Sequence, residues 1–473
     1  MNTLYKNSLL YLLATLSVKA ASFILLPFYS YLISPAEYGY IYIVISFVSF
    51  MSIMMTFSVS ASISRFYIDC EGIVEVKKMF STIVYTVVGY SLILGSSLLY
   101  FHEEIAFWLN IPSLYLVIAI ISSILSCFYL LITNLLYIRQ EAKKISLTSM
   151  GMGILQIVVQ LSMVLSMNDK AFAMICSQLI CALVTFVIFI VYSKSYLVFS
   201  YDKRKVYVYV KYALSQFPSD VSVWLLSFSD RMMMNKMQGN IATGVYGMGQ
   251  TLGSIPKIIF SSINSAYVPF VFSCYKNMES DVKYRSELIN QTTRVFSIVT
   301  MFVTIIILFS NNIVALLDDK FSKSTIVMAA MLFAMLIDSY RTIFTNPLAY
   351  NIKYTKIKSS IWCMSALLNI GLNIYLIPRY SIYGACFAMI ISYGLSFSLI
   401  AYFARKAIPV NYDIKKMLIV FAVSLIMSSF VCLGTSLIML ILKVIFVLFY
   451  CLVIARLLKF DVFDFFKTIK INR

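Results

Sequence analysis

Eight ionisable side chains sit where water should be scarce. Lys19, Asp220, Asp230, Arg231, Lys257, Arg294, Asp338 and Arg341 all fall inside long apolar runs. An ionised group near the centre of a membrane helix costs about 3 kcal/mol, so each is expected to face protein or water rather than hydrocarbon. Five are cations and three are anions. A cavity collecting them would be net positive and could replace the hydration of an anionic headgroup, because Lys and Arg make charge-assisted hydrogen bonds to anions. Lys19 and Lys257 are the deepest cations and are expected to contact such a headgroup. Snorkelling to an interface is the competing account, open to a Lys only within a turn or two of the membrane surface. Arg294, near an inner helix end, and Arg65, at an inner mouth, are further headgroup candidates, although each also fits an interfacial cation.

Spacing sorts the acids. Asp230 and Arg231 are consecutive, and neighbouring helix positions diverge by about 100°, so each needs a partner elsewhere. An outer tie, a gate and a proton-coupled role all remain open for them. Asp338 and Arg341 share a helix face at i, i+3 and are expected to form a structural ion pair. Asp220 follows Pro218 by two residues. It is either a titrating carboxylate that couples transport to an ion gradient or an Asp satisfied by the hydroxyls of Ser215, Ser219 or Ser222.

Enzyme chemistry has little to work with. The one histidine, His102, lies in an outer loop, no Gly-Lys dipeptide allows a phosphate-binding loop, and none of the nine cysteines makes a C-x-x-C pair. No cofactor, metal or catalytic residue is expected. The Met232–Met237 run reads as flexible apolar filler.

The elements that carry these charges are membrane helices. At 61% hydrophobic over 473 residues, the chain has more apolar surface than a soluble core can bury. Fourteen apolar runs reach membrane-spanning length, near 8–33, 40–65, 79–100, 114–136, 147–167, 171–193, 212–237, 243–272, 288–311, 325–348, 359–378, 381–404, 416–436 and 438–457. With both termini inside, the inner segments hold 27 basic residues and the outer loops 6. This asymmetry places both ends in the cytoplasm and accounts for the net charge of +18 without nucleic acid. The largest outer loop, around residues 101–113, has room for a short interfacial helix and for no soluble domain.

The sequence also repeats. LISPAEYGYIYIV, with Tyr38-Gly39, is echoed by GNIATGVYGMGQT, with Tyr246-Gly247, and Phe66 and Cys70 correspond to Phe270 and Cys274. Six helices separate the copies, so both have the same orientation and a pseudo-twofold along the membrane normal is expected. The expected organisation is a lobe of helices one to six (1–193), a basic cytoplasmic connector (194–211), a second six-helix lobe (212–404), and two added helices with a basic tail (405–473).

KAASFILLPFYSYLISPAEYG, ISRFY, WLLSFSDRMMMNKMQGNIATGVYG, YVPF and LLNIGLNIYLIPRYSIYGACFAMIISY, in this order, resemble the bacterial polysaccharide flippase family. These are the O-antigen and capsule repeat-unit translocases of the multidrug/oligosaccharidyl-lipid/polysaccharide exporter superfamily. The resemblance implies fourteen helices, alternating access, and movement of undecaprenyl-pyrophosphate-linked oligosaccharides from the cytoplasmic to the outer leaflet of the inner membrane. It also implies coupling to H+ or Na+, membrane lipids as surroundings, and a polymerase and chain-length regulator as partners. A multidrug or lipid II exporter and a membrane polymerase are the alternatives. The short outer loops speak against the polymerase.

Overall fold

The computed structural model describes residues 23–278, 281–432 and 434–458, and every regular element among them is helical. The chain opens with α1 (Phe23–Leu32) and α2 (Pro35–Thr56). Ser34 and Glu37 cap α2 reciprocally: the Ser34 amide donates to Glu37 Oε2 at 2.8 Å, the Glu37 amide donates to Ser34 Oγ at 3.3 Å, and Pro35 occupies the first turn. The predicted span 40–65 is not one helix. Phe57 and Ser58 both adopt left-handed backbone (φ 47° and 54°), and α3 (Ser60–Phe66) restarts beyond them. Neither residue is Gly or Pro, so the sequence carried no signal for the break.

There follow α4 (Ile73–Tyr100), the short outer α5 (His102–Leu109), α6 (Ser113–Ile138), α7 (Ala142–Ser166) and α8 (Lys170–Ser193). Then α9 runs Lys203–Gly253, broken at Gly239, whose φ of 82° suits a residue without Cβ. It begins nine residues before the expected span at 212, because Asp202 accepts from the Arg204 and Lys205 amides and no breaker interrupts the basic connector. The rest comprises α10 (Ile255–Asn277), α11 (Val282–Leu308), α12 (Ser310–Val314), α13 (Ser324–Tyr350), α14 (Thr355–Tyr380), α15 (Ile382–Ala407), α16 (Ile414–Ser429) and α17 (Leu437–Leu458).

Ten helices among the described residues are long and apolar enough to cross a membrane: α2, α4, α6, α7, α8, α11, α13, α14, α15 and α17. Of the other four expected spans, 8–33 is described only from residue 23. The segments 212–237 and 243–272, in α9 and α10, are diluted by charged and polar residues, and 416–436 contains the 16-residue α16.

By their contacts the helices form two compact units. One contains the described residues of Met1–Gly247 with Ile370–Ala385, the other those of Met248–Asn369 with Cys386–Arg473. This grouping does not follow the 1–193 and 212–404 division read from the repeat. Within the first unit α6 is central and packs on α2, α4 and α8. Within the second, α11 is central and packs on α10, α13 and α16. A stripe of hydroxyls joins α11 to its neighbours: Thr292 bonds Tyr267 at 2.6 Å, and Thr300 bonds Tyr340 at 2.5 Å. In lipid the hydrophobic effect does not hold helices together, so small and hydroxylic residues at such seams supply close packing and interhelical bonds.

Candidate functional site

Asp230 is fully buried in the first unit, and Arg231 is 8% exposed. The carboxylate accepts from two sides: the Tyr246 hydroxyl donates to Oδ2 at 2.9 Å, and Asn373 Nδ2 donates to Oδ1 at 2.7 Å. Tyr246 lies on the same helix, 16 residues later, and reaches back because α9 breaks at Gly239. Arg231 points elsewhere, as the 100° divergence requires. Its guanidinium carbon lies 4.8 Å from the Tyr42 ring centroid and 5.5 Å from that of Phe228. Beyond α9 itself, Asp230 is held by α14 and Arg231 by α2.

Both copies of the repeated Tyr-Gly motif belong to this site. A Cβ added to Gly39 would stand 2.1 Å from the Asn240 carbonyl oxygen, and one added to Gly244 would stand 1.8 Å from that of Pro35. The start of α2 and the post-Gly239 segment of α9 thus touch backbone to backbone, which positions Tyr42 and Tyr246 around the charged pair. Near the same end, Asn235 donates to the Leu109 carbonyl, and Gln238 donates to that of Ile377 at 3.2 Å.

The remaining sequence candidates are dispersed. Asp220 is exposed, and its hydroxyl partner is Ser58 rather than Ser215, Ser219 or Ser222, with Ser58 Oγ donating at 2.7 Å from the left-handed break after α2. The aromatic ring of Phe57 stacks on Phe217 at 4.5 Å beside it. Arg65 is exposed and paired with Asp69 at 3.1 Å. Lys257 is exposed in the first turn of α10, and Arg294 is half-buried on α11. Asp338 and Arg341 form an ion pair on α13, with Arg341 4.3 Å from the Trp362 centroid. Lys19 lies outside the described residues. Among those described, no group of three or more His, Cys, Asp or Glu could hold a metal ion.

Sequence reasoning missed three groups. Tyr246 and Asn373, the partners of Asp230, stood inside quoted motifs but looked like ordinary helix residues. Lys443, one of the six basic residues that the sequence assigns to outer loops, lies within α17, fully buried, and donates to Asn312 Oδ1 at 2.8 Å. Its position inside an apolar run was the available signal.

A buried Asp–Arg pair on a broken helix, in a chain whose described elements are all helical and include ten membrane-spanning candidates, defines a polytopic membrane protein with charges at the heart of one unit. Residues 30–325, more than half of the chain, match the family described as polysaccharide biosynthesis protein, and the chain belongs to that family. Over 285 residues it is 25% identical to the Lsg locus putative protein 1 of Haemophilus influenzae, spanning 58% of this chain and 67% of that protein. Its fold is similar to that of the lipid II flippase MurJ in an inward closed conformation, with a TM-score of 0.74 at 16% identity over 94% of this chain and 98% of that one. It is also similar to the Vibrio cholerae MATE transporter VcmN, with a TM-score of 0.56 at 11% identity over 86% and 96%. At these identities the structural likeness speaks for fold alone.

Proposed function

We propose that this chain is a flippase that carries undecaprenyl-pyrophosphate-linked oligosaccharide repeat units from the cytoplasmic to the outer leaflet of the inner membrane, for O-antigen or capsule assembly. The observation that carries the reading is membership of a polysaccharide biosynthesis family in a chain with a MurJ-like fold. The organisation it requires is the pseudo-symmetric one: a lobe of residues 1–193, a connector at 194–211, a second lobe at 212–404 and two further helices, with both termini cytoplasmic. The fourteen-helix count belongs to this proposal.

In it, Lys19, Lys257, Arg65 and Arg294 receive the pyrophosphate, replacing its hydration with charge-assisted hydrogen bonds. Asp230 and Arg231 gate or couple the transition. The hydrogen bonds to the Asp230 carboxylate come from neutral donors, so a proton or sodium ion bound there would change what Tyr246 and Asn373 can hold. Asp220, bonded across to the break after α2, is the second coupling candidate. The energy source is an ion gradient or removal of product by a downstream polymerase.

Deletion in the native host should make lipid-linked repeat units accumulate at the inner leaflet, assayed by accessibility to a membrane-impermeant glycosidase in oriented vesicles. Lys19→Ala and Lys257→Ala should each abolish complementation with unchanged membrane abundance. Units accumulating unpolymerised at the outer leaflet would replace the flippase reading with a polymerase. Full complementation by both alanine variants would remove the headgroup assignment.

A further inference from the structure

The second unit holds a cluster whose charges do not balance. On α13, Asp338 and Arg341 pair one turn apart. Arg341 Nη1 also donates to Ser396 Oγ on α15 at 3.4 Å, and its guanidinium lies 4.3 Å from the Trp362 centroid and 5.7 Å from that of Tyr393. Lys358, one turn before Trp362 on α14, brings its ammonium 5.9 Å from the same indole ring. Two cations therefore share one ring, and the carboxylate is engaged by Arg341. Asp338 is the sole Asp or Glu in the sequences of α13, α14 and α15, so these helices offer no second counter-charge.

The hydrogen-bond inventory leans the same way. Arg341 Nε and Trp362 Nε1 are buried with no partner among the described residues, although Arg341 is only 6% exposed. A buried guanidinium nitrogen or indole N–H left unpaired forfeits its hydration without replacement. Lys358 is half-buried on the same side. Asp338 Oδ1, the acceptor here without a hydrogen bond, is taken up in the ion pair with Arg341, which leaves Arg341 Nε and Trp362 Nε1 as unfilled donors beside a net positive charge. A neutral ligand would leave that charge standing, and a carboxylate offers two oxygens to three donors.

We infer that Arg341, Lys358 and Trp362 form a binding site for a phosphoryl oxyanion within the second unit. The guanidinium Nε, the indole N–H and the ammonium supply three donors to three phosphoryl oxygens, while Asp338 holds Arg341 in place and tempers its charge. The phosphoryl group comes either from an anionic lipid headgroup or from a phosphorylated substrate. Binding does not depend on the transport reading, since it needs no movement across the membrane.

The test is equilibrium dialysis of labelled pyrophosphate against the purified full-length chain in phosphatidylcholine nanodiscs at fixed ionic strength, with each variant's thermal midpoint measured alongside. Arg341→Gln and Lys358→Gln should each weaken binding about tenfold or more, as loss of a charge-assisted bond does. Trp362→Phe, which keeps a ring but removes the N–H, should weaken it about threefold. Asp338→Asn should tighten binding several-fold, which a purely structural ion pair would not do. Including phosphatidylglycerol separates the sources: competition with pyrophosphate assigns the donors to a lipid headgroup, and its absence assigns them to a phosphorylated substrate. The inference falls if wild type binds no pyrophosphate, if Lys358→Gln binds as wild type does while folded, or if Asp338→Asn weakens binding. Repeat units that still reach the outer leaflet when the chain is deleted count against the transport reading and leave this site standing.

Discussion

Asp230–Arg231 and Asp338–Arg341 are both buried acid–base pairs on membrane helices, yet they solve the problem of buried charge in opposite ways. At i, i+3 the second pair neutralises itself on one helix face, so α13 carries its own counter-ion wherever it goes. At i, i+1 the first pair cannot do this. Asp230 recruits Tyr246 from beyond a helix break and Asn373 from α14, while Arg231 leans on Tyr42 of α2. One residue of spacing decides whether a charge finds its counter-ion on its own helix or must be held through ties to other segments. Ties of that kind are what a conformational change must break and remake.

Exchanging the partners tests the contrast most severely. The double variant Asp338→Arg/Arg341→Asp keeps both charges on one face but gives up the Arg341 contacts with Trp362, Tyr393 and Ser396, and should cost about 2 kcal/mol. Asp230→Arg/Arg231→Asp places each charge in the other's surroundings and should cost about 3–5 kcal/mol or more, preventing accumulation in the membrane. Thermal midpoints in detergent and membrane abundance report both. Equal tolerance of the two swaps would break the comparison.

Single truncations should show a smaller gap. Asp230→Ala removes the acceptor of two buried hydrogen bonds and should lose about 3 kcal/mol. Asp338→Ala leaves Arg341 against Trp362 and Tyr393 and should lose about half as much. At the finest scale, Tyr246→Phe deletes a hydroxyl that bridges the break in α9 and Ser396→Ala one that joins α15 to α13, and each should cost about 0.6 kcal/mol, the usual value in membrane proteins. If Tyr246→Phe abolishes complementation while stability changes only by that amount, the tie around Asp230 works in the transport cycle and is not merely a brace.

How much of this was legible beforehand follows the same line between local and non-local. Apolar runs were enough to find most of the membrane-length helices, because membrane thickness acts on the sequence directly. The Asp338–Arg341 pair could be read because both partners lie within one turn. Asn373 could not be read as a partner of Asp230, since 143 residues separate them and nothing about an Asn in a helix says what it faces. The break at Phe57–Ser58 was equally silent, being imposed by packing against α9 rather than by Gly or Pro. The cluster around Trp362 escaped for a third reason: Lys358 had been accounted for as an inner-side basic residue, and only the fold shows it sharing a ring with Arg341.

The backbone contact between the two Tyr-Gly motifs has a consequence for how this chain can change over generations. Duplicated segments usually drift apart once each has its own surroundings. Here Gly39 is sealed by Asn240, and Gly244 by Pro35, so each copy is part of the mould in which the other is cast. A methyl group at either glycine would be felt first in the opposite copy. A selection for suppressors of Gly39→Ala should therefore return changes around residue 240, and the inheritance of one motif constrains that of its twin.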